Sequence, residues 1–386
     1  MSAGAGSAAL MKRKIMIDRR LVENFDWSVL LAFFFIVLLG LINLYSALYQ
    51  QIQADATGNP FFKQVVWLGL GFVGLVASLF VDYQRLKEVS LWIYMATMLM
   101  LVAVLIVGKE INGAQSWLAV GGFRWQPSEF MKIAIVIQLA TLLSSQEVTP
   151  YPSLKHLVLA AAVTAVPVLL VLAQPDLGTA VTILLIAGTV IFFMGIRLRY
   201  LISAVMVFVP LVWPIWQYVL KPYQKWRILI LIWPELDPLG AGYHIRQSKI
   251  AIGSGMLWGK GFLEGTQNKL RFLPEKHTDF IFSVWAEEWG FVGCFLLLAL
   301  FGVLVFCALK VGRRSKDRFG TLLVVGMTAL ILWQMVINIG MVIGLFPVVG
   351  ITLPFVSYGG SSLITLCLAI GLIENVSMRR YVFQSK

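Results

Sequence analysis

Stretches of about twenty apolar residues recur along the chain, at 27–49, 64–81, 90–107, 157–173, 200–220, 280–309 and 320–345 among others. A run of that length crosses a hydrocarbon core as a helix, with every backbone N–H and C=O satisfied internally. Barrel strands alternate and are about half as long, so they do not fit. Composition agrees: 59% of the 386 residues are hydrophobic and 13% charged, where a soluble protein carries about a quarter charged residues. The expected fold is an all-α polytopic membrane protein. The first run is too long for a signal-peptide core and no convincing cleavage site follows it, so it is expected to remain as the first membrane helix.

Charge sets the orientation. Lys12, Arg13, Lys14, Arg19 and Arg20 make residues 1–26 a basic tail. Basic turns follow at Arg85 and Lys87, at Arg197 and Arg199, and between Lys310 and Arg318, and Arg379 and Arg380 close the last span. Further spans start near Pro127 or Ser128 (an N1 and cap pair), end before Arg197, and end before Arg379. The total is about ten transmembrane helices with both termini cytoplasmic, and every strongly basic short loop then falls inside. A single membrane domain, 27–373, is expected between the basic tail and a C-terminal tail, 374–386. Pro210 and Pro214 predict a kink in the seventh helix.

The formal charge of +12 would raise the question of nucleic acid in a soluble protein; here much of it lies in loops and no nucleic-acid motif is present. Cys294, Cys307 and Cys367 fall inside apolar runs and read as small buried residues, not as a disulfide or metal set. No internal repeat points to an inverted-repeat transporter.

The largest non-spanning segment, 221–279, is expected outside. It holds nine Lys and Arg, against the positive-inside trend, which suggests an anionic ligand there. Its parts 226–233 and 245–252 mix aliphatic, aromatic and basic residues as interfacial helices do.

Candidate chemistry gathers at the end of that loop. Glu275, Lys276, His277 and Asp279 crowd the edge of the run that begins at Phe280. A carboxylate at a water–hydrocarbon boundary loses solvation, so its pKa rises and it becomes a better proton acceptor. The alternatives for Asp279 are a helix N-cap and an interfacial acid paired with Lys276. Glu129 and Lys132, three apart, form an ion pair on one helix face or offer a cation to a phosphate. Arg124 beside Trp125 is a phosphate-binding fork or an interfacial anchor. Trp117 lines a cavity or belongs to an aromatic belt. Arg246, Gln247 and Lys249 face phosphates or form a solvated basic face. His277 tunes Asp279 by its charge or is merely polar. Glu287 and Glu288, two turns into a membrane helix, are functional or paired within the bundle.

Six motifs in order resemble the SEDS family (shape, elongation, division and sporulation) over nearly the whole chain: GAQSWL at 113–118, QPSEFMK at 126–132, QPDLGTA at 174–180, GYHIRQSKIAIGSG at 242–255, LPEKHTDFIF at 273–282 and LPFVSYGGSS at 353–362. Val348 and Val349, where division members usually carry Thr-Lys, make it more similar to the elongation members. Met256 and Trp233 depart from the family, which commonly has a second Gly and an acid at those places; they leave the loop's packing in doubt more than its chemistry. The resemblance implies a peptidoglycan glycosyltransferase of the bacterial inner membrane, with its site facing the periplasm. It further implies lipid II and the growing glycan strand as substrates, a class B penicillin-binding protein as the transpeptidase partner, and Asp279 as the essential acid.

On that expectation Asp279 is the general base on the acceptor 4-hydroxyl, and undecaprenyl pyrophosphate leaves as a stable anion. Arg124 and Lys132 are candidates for the pyrophosphate, and the expected substrate-binding set is Trp117, Arg124, Glu129, Lys132, Arg246, Gln247, Lys249, Lys276 and His277. A divalent cation, Mg or Mn, would share the pyrophosphate charge, though no metal-ligand spacing is visible. A lipid II flippase and a non-catalytic scaffold of the cell-wall synthesis complex are the competing functions.

Overall fold

A computed structural model describes residues 24–54, 59–111, 114–120, 123–145, 152–219, 221–237, 240–270, 272–273 and 275–380. Most of the basic N-terminal tail and the last six residues lie outside the described residues. Among the described residues ten apolar helices lie near the places of the ten expected spans: α1 (Trp27–Ala54), α2 (Pro60–Phe80), α3 (Tyr83–Val107), α4 (Pro127–Ser144), α5 (Leu154–Ala173), α6 (Leu177–Phe193), α7 (Leu198–Pro214), α11 (Ile281–Arg313), α12 (Arg318–Val342) and α13 (Gly360–Arg379). Among the described residues eight of these are long and apolar enough to cross a membrane, while α6 and α7 have 17 residues each.

Local sequence explains the boundaries. Asn59, Asp82, Asp176 and Asp317 cap α2, α3, α6 and α12, each side chain accepting from a backbone N–H of the first turn. Pro127 stands at N1 of α4 as expected, but the cap position is Gln126. Ser128 is therefore not the cap; it is buried and its hydroxyl has no partner among the described residues. The kink expected in α7 takes the form of a π-helical turn, Ile215–Val219, directly after Pro214.

Helices α4, α12 and α13 form the centre, and α2, α3, α5 and α11 turn residues such as Phe62, Trp92, Leu169 and Phe306 outward. Lipid supplies no hydrophobic drive between helices, so close packing of small residues does the work. Along α2 and α13, a Cβ at Gly71 would come within 2.9 Å of Cys367 Sγ. Cys367 is thus the small buried residue its setting in the sequence predicted.

One feature lies outside the all-helical expectation. Residues after α3 form a three-stranded antiparallel sheet, β1 (Lys109–Ile111), β2 (Ala114–Val120) and β3 (Phe123–Trp125), in that order. The segment between α7 and α11 is largely helical: α8 (Pro222–Ile232), α9 (Ala241–Ser254) and the short α10 (Thr266–Lys269). Helix α8 covers the first predicted interfacial stretch up to Ile232, one residue short of its end, and α9 covers the second.

The bundle has two chemically distinct ends. At one, Tyr83 bonds Asp317, Arg379 bonds Asn375 and the Leu79 carbonyl, and the Asp26 N–H donates to Glu374. The basic turns before α12 and after α13 lie there. At the other end, the starts of α2, α4, α6, α11 and α13 meet the end of α12, and the sequence motifs converge.

Candidate active site

Asp279 closes the turn that feeds α11. The cap position of α11 is Phe280, with no side-chain cap bond, so the capping alternative for Asp279 fails. Three successive carbonyls of this turn are held from elsewhere. The Tyr358 N–H donates to the His277 carbonyl (2.8 Å), the Ser357 hydroxyl to that of Thr278 (2.6 Å), and Asn338 Nδ2 to that of Asp279 (2.9 Å). The main chain beneath the carboxyl is thereby fixed.

Asp279 as a whole residue is half-buried, with its carboxyl turned into the protein. Burial pushes it up to about 7, and the negative charge of Glu275 adds to the rise; Arg227 on α8 and a hydrogen bond from Thr278 oppose it. A Cβ at Gly350 would stand 3.7 Å from Asp279 Oδ2, so a glycine lines its immediate surroundings. A carboxyl poised near neutrality takes up protons efficiently at physiological pH. Arg227, on a different helix, was not singled out by sequence; only the three-dimensional approach of α8 reveals it.

Of the neighbours expected to serve Asp279, Lys276 is buried and its ammonium donates to the Asn268 carbonyl at 3.1 Å. His277 is half-buried against Tyr358, with ring centroids 5.9 Å apart. Burial pushes the His277 imidazole down, toward the neutral form. Tuning of Asp279 by a His277 charge is therefore replaced by tuning through burial, Glu275 and Arg227.

A second polar cluster stands on the other side of residues 349–351. Lys132 Nζ lies 2.6 Å from Glu129 Oε1, both side chains being buried. Asp176 feels both charges, accepts from Gln126 Nε2 at 3.0 Å, and is pushed up by burial. The Gln126 N–H donates to Ser361 on α13. At Gly178 a Cβ would meet the Val349 carbonyl at 2.6 Å, so α6 presses on the strand of chain that carries Gly350. Motifs distant in sequence thus share one end of the bundle.

Helix α9 seals a third side. Ser248 lies 2.8 Å from Ser283 of α11 and donates to the Val342 carbonyl, and the His244 ring meets Phe280. Along the same helix Arg246 and Lys249, with Glu235, Ile245 and Ile250, line an open cleft of about 390 Å³. Lys249 also rests against Gly344, where a Cβ would come within 2.7 Å of its Nζ. Gln247 is half-buried on the same helix, and Trp117, also half-buried, pairs across the β-ladder with Lys109. Arg124 takes part in β3, but its side chain lies outside the described residues.

The glycine-rich loop after α9 is stitched into α11. Gly290 has φ 64° and ψ −162°, which interrupts the helix. The opened carbonyls of Glu287 and Glu288 accept from the Lys260 and Gly261 N–H groups, while the Phe291 and Val292 N–H groups donate to Met256 and Leu257. Glu287 is also paired with Lys260 (2.7 Å), and Glu288 accepts from Ser46 of α1. Both acids are held inside the bundle, as one alternative had it. Among the described residues no three His, Cys, Asp or Glu side chains come together to hold a metal.

Apolar helices in this number, with a carboxyl poised near neutrality and basic helices at one end, define a polytopic membrane protein with one chemically competent face. The family model for cell cycle proteins of the FtsW, RodA and SpoVE type matches residues 26–382. The chain belongs to this family, the SEDS family, and is RodA-like. It is 41% identical to the peptidoglycan glycosyltransferase MrdB of Escherichia coli K12, over 89% of this chain and 92% of that protein. Against the peptidoglycan glycosyltransferase RodA of Treponema pallidum the identity is 33%, over 93% and 99%. Among solved structures, a chain from a peptidoglycan synthase complex that coordinates polymerization and crosslinking superposes with a TM-score of 0.79 at 35% identity, covering 92% of this chain and 98% of that one. The rod shape determining protein RodA of Thermus thermophilus gives 0.69 at 31%, covering 93% and 98%.

Proposed function

We propose that this protein is a peptidoglycan glycosyltransferase that joins lipid II disaccharides into glycan strands on the periplasmic side of the bacterial inner membrane. The observation that carries the reading is Asp279: a carboxyl whose main chain is tied at three successive carbonyls, poised near pH 7, with Arg227 acting on it from a basic loop helix. Full-length likeness to glycosyltransferases of this name supports it.

In the transfer, Asp279 accepts the proton of the acceptor sugar's 4-hydroxyl. The freed oxygen forms a bond to the anomeric carbon of the donor sugar as the bond from that carbon to the pyrophosphate oxygen breaks. Undecaprenyl pyrophosphate leaves with the electron pair, and the anomeric carbon inverts. The departing anion needs cations, and Arg227, Arg246 and Lys249 are the groups assigned to it. Lys132, closed in its pair with Glu129, is assigned to holding the α4 end of the site. A divalent cation, Mg or Mn, would share the charge of the pyrophosphate with Arg227, Arg246 and Lys249. The strong basic turns at the end opposite Asp279 support a periplasmic placement of the site. A class B penicillin-binding protein is the partner that crosslinks the product.

The test is purified protein with lipid II in detergent, in the presence of that partner. No leaflets exist there, so a flippase has nothing to move. Glycan polymer that disappears in Asp279→Ala at unchanged expression supports the transferase; no polymer from the wild-type complex contradicts it.

A further inference from the structure

We infer that Asn338 and Ser357 are positioning residues for glycosyl transfer, which hold the Asp279 main chain in register without touching its carboxyl. The inference rests on the transferase reading above. Asn338 sits near the end of α12 and is fully buried. Its Nδ2 donates to two carbonyls, Asp279 at 2.9 Å and Ile351 at 2.7 Å. Its Oδ1 has no partner among the described residues. The residue is thus used for its donor alone, and it joins the turn bearing Asp279 to the chain bearing Gly350, which stands beside Asp279 Oδ2.

Ser357 works one residue earlier. Its hydroxyl accepts from the Leu353 N–H at 2.8 Å and donates to the Thr278 carbonyl at 2.6 Å. Gln64 on α2 fixes this segment in turn, donating to the Ser357 carbonyl and accepting from the Gly359 N–H. The Asp279 turn is therefore gripped between two spanning helices, α2 and α12, through three consecutive carbonyls. Such support matters because a general base works only within hydrogen-bond reach of its proton, and a displacement of about 1 Å costs about 100-fold in rate.

The test uses the wild-type complex, Ser357→Ala, Ser357→Thr and Asn338→Leu with lipid II in detergent. Asn338→Leu keeps roughly the shape and loses the donor. In both Ser357→Ala and Asn338→Leu, kcat is expected to fall by about 10- to 100-fold with KM for lipid II nearly unchanged. The acid limb of the rate–pH profile is expected to move to lower pH as the released carboxyl gains solvent. Ser357→Thr retains the hydroxyl and is expected to keep most of the rate. If Asn338→Leu does not fold, Ser357→Ala decides. Folded variants with wild-type kcat and pH profile, or with a change in KM alone, overturn the inference and leave the transferase reading standing. A wild-type complex that makes no polymer overturns that reading, and this one with it.

Discussion

Lys132 Nζ lies 2.6 Å from Glu129 Oε1, three residues apart on α4, with both side chains buried. Asp176 adds a second acid that feels the charge of the same ammonium. Breaking a buried pair by removing one partner strands the other charge, whereas removing both does not.

Lys132→Met is therefore expected to lower stability by about 3–5 kcal/mol, seen as a fall in the thermal unfolding midpoint in detergent. The double change Glu129→Gln with Lys132→Met is expected to regain most of that loss. A single variant as stable as wild type would remove the pair from the account.

Gly290 holds a backbone conformation open in practice only to glycine, and a Cβ there would stand 2.3 Å from the Gly259 nitrogen. Gly290→Ala is expected to cost more than about 3 kcal/mol. The yield of folded protein and its melting temperature check this. Because the loop 255–261 stitches into the break, protease nicking of that loop should rise in parallel.

Met256 carries φ 48° while its side chain is 79% exposed. Left-handed backbone costs a residue with a Cβ about 1–2 kcal/mol, and glycine's greater loss of freedom returns part of it. Met256→Gly is expected to stabilise the protein by about 0.5–1 kcal/mol, measured as a higher unfolding midpoint. This departure from the family's usual glycine is then a mild strain in the loop, not a change in chemistry.

The Asp279 carboxyl has its folded-state pKa raised, to about 7. A raised pKa means the folded state binds the proton more tightly, so the stabilisation is full below the unfolded carboxylate value and is lost as pH climbs through about 7. Asp279→Asn removes that loss. At pH 8 it is expected to stabilise by on the order of 4 kcal/mol, and at pH 4 by little. Thermal melts at the two pH values distinguish this from a uniform effect.

The helices were legible because twenty-residue apolar runs and basic turns are local signals, and so was the charged turn from Glu275 to Asp279. What escaped the sequence depends on distant meetings. Asn338 is 59 residues from Asp279 and looks like one tolerated amide in an apolar span. Arg227 is one of nine basic loop residues in the sequence, and only the fold puts its charge where the carboxyl feels it. The break at Gly290 is invisible in a run that reads as continuous helix, since its freed carbonyls are satisfied by a loop some thirty residues upstream. The small sheet hides for another reason: β1 and β3 have three residues each, too short for alternation to show.

The central claim is that Asp279 is the proton acceptor in glycan polymerisation. Its most direct test is the initial rate of lipid II polymerisation by the wild-type complex in detergent, followed from about pH 5 to pH 9. The account predicts a rate that rises with a midpoint near 7 and is absent at every pH in Asp279→Ala. A rate flat across that range, or an Asp279→Ala protein that polymerises like wild type, would contradict it.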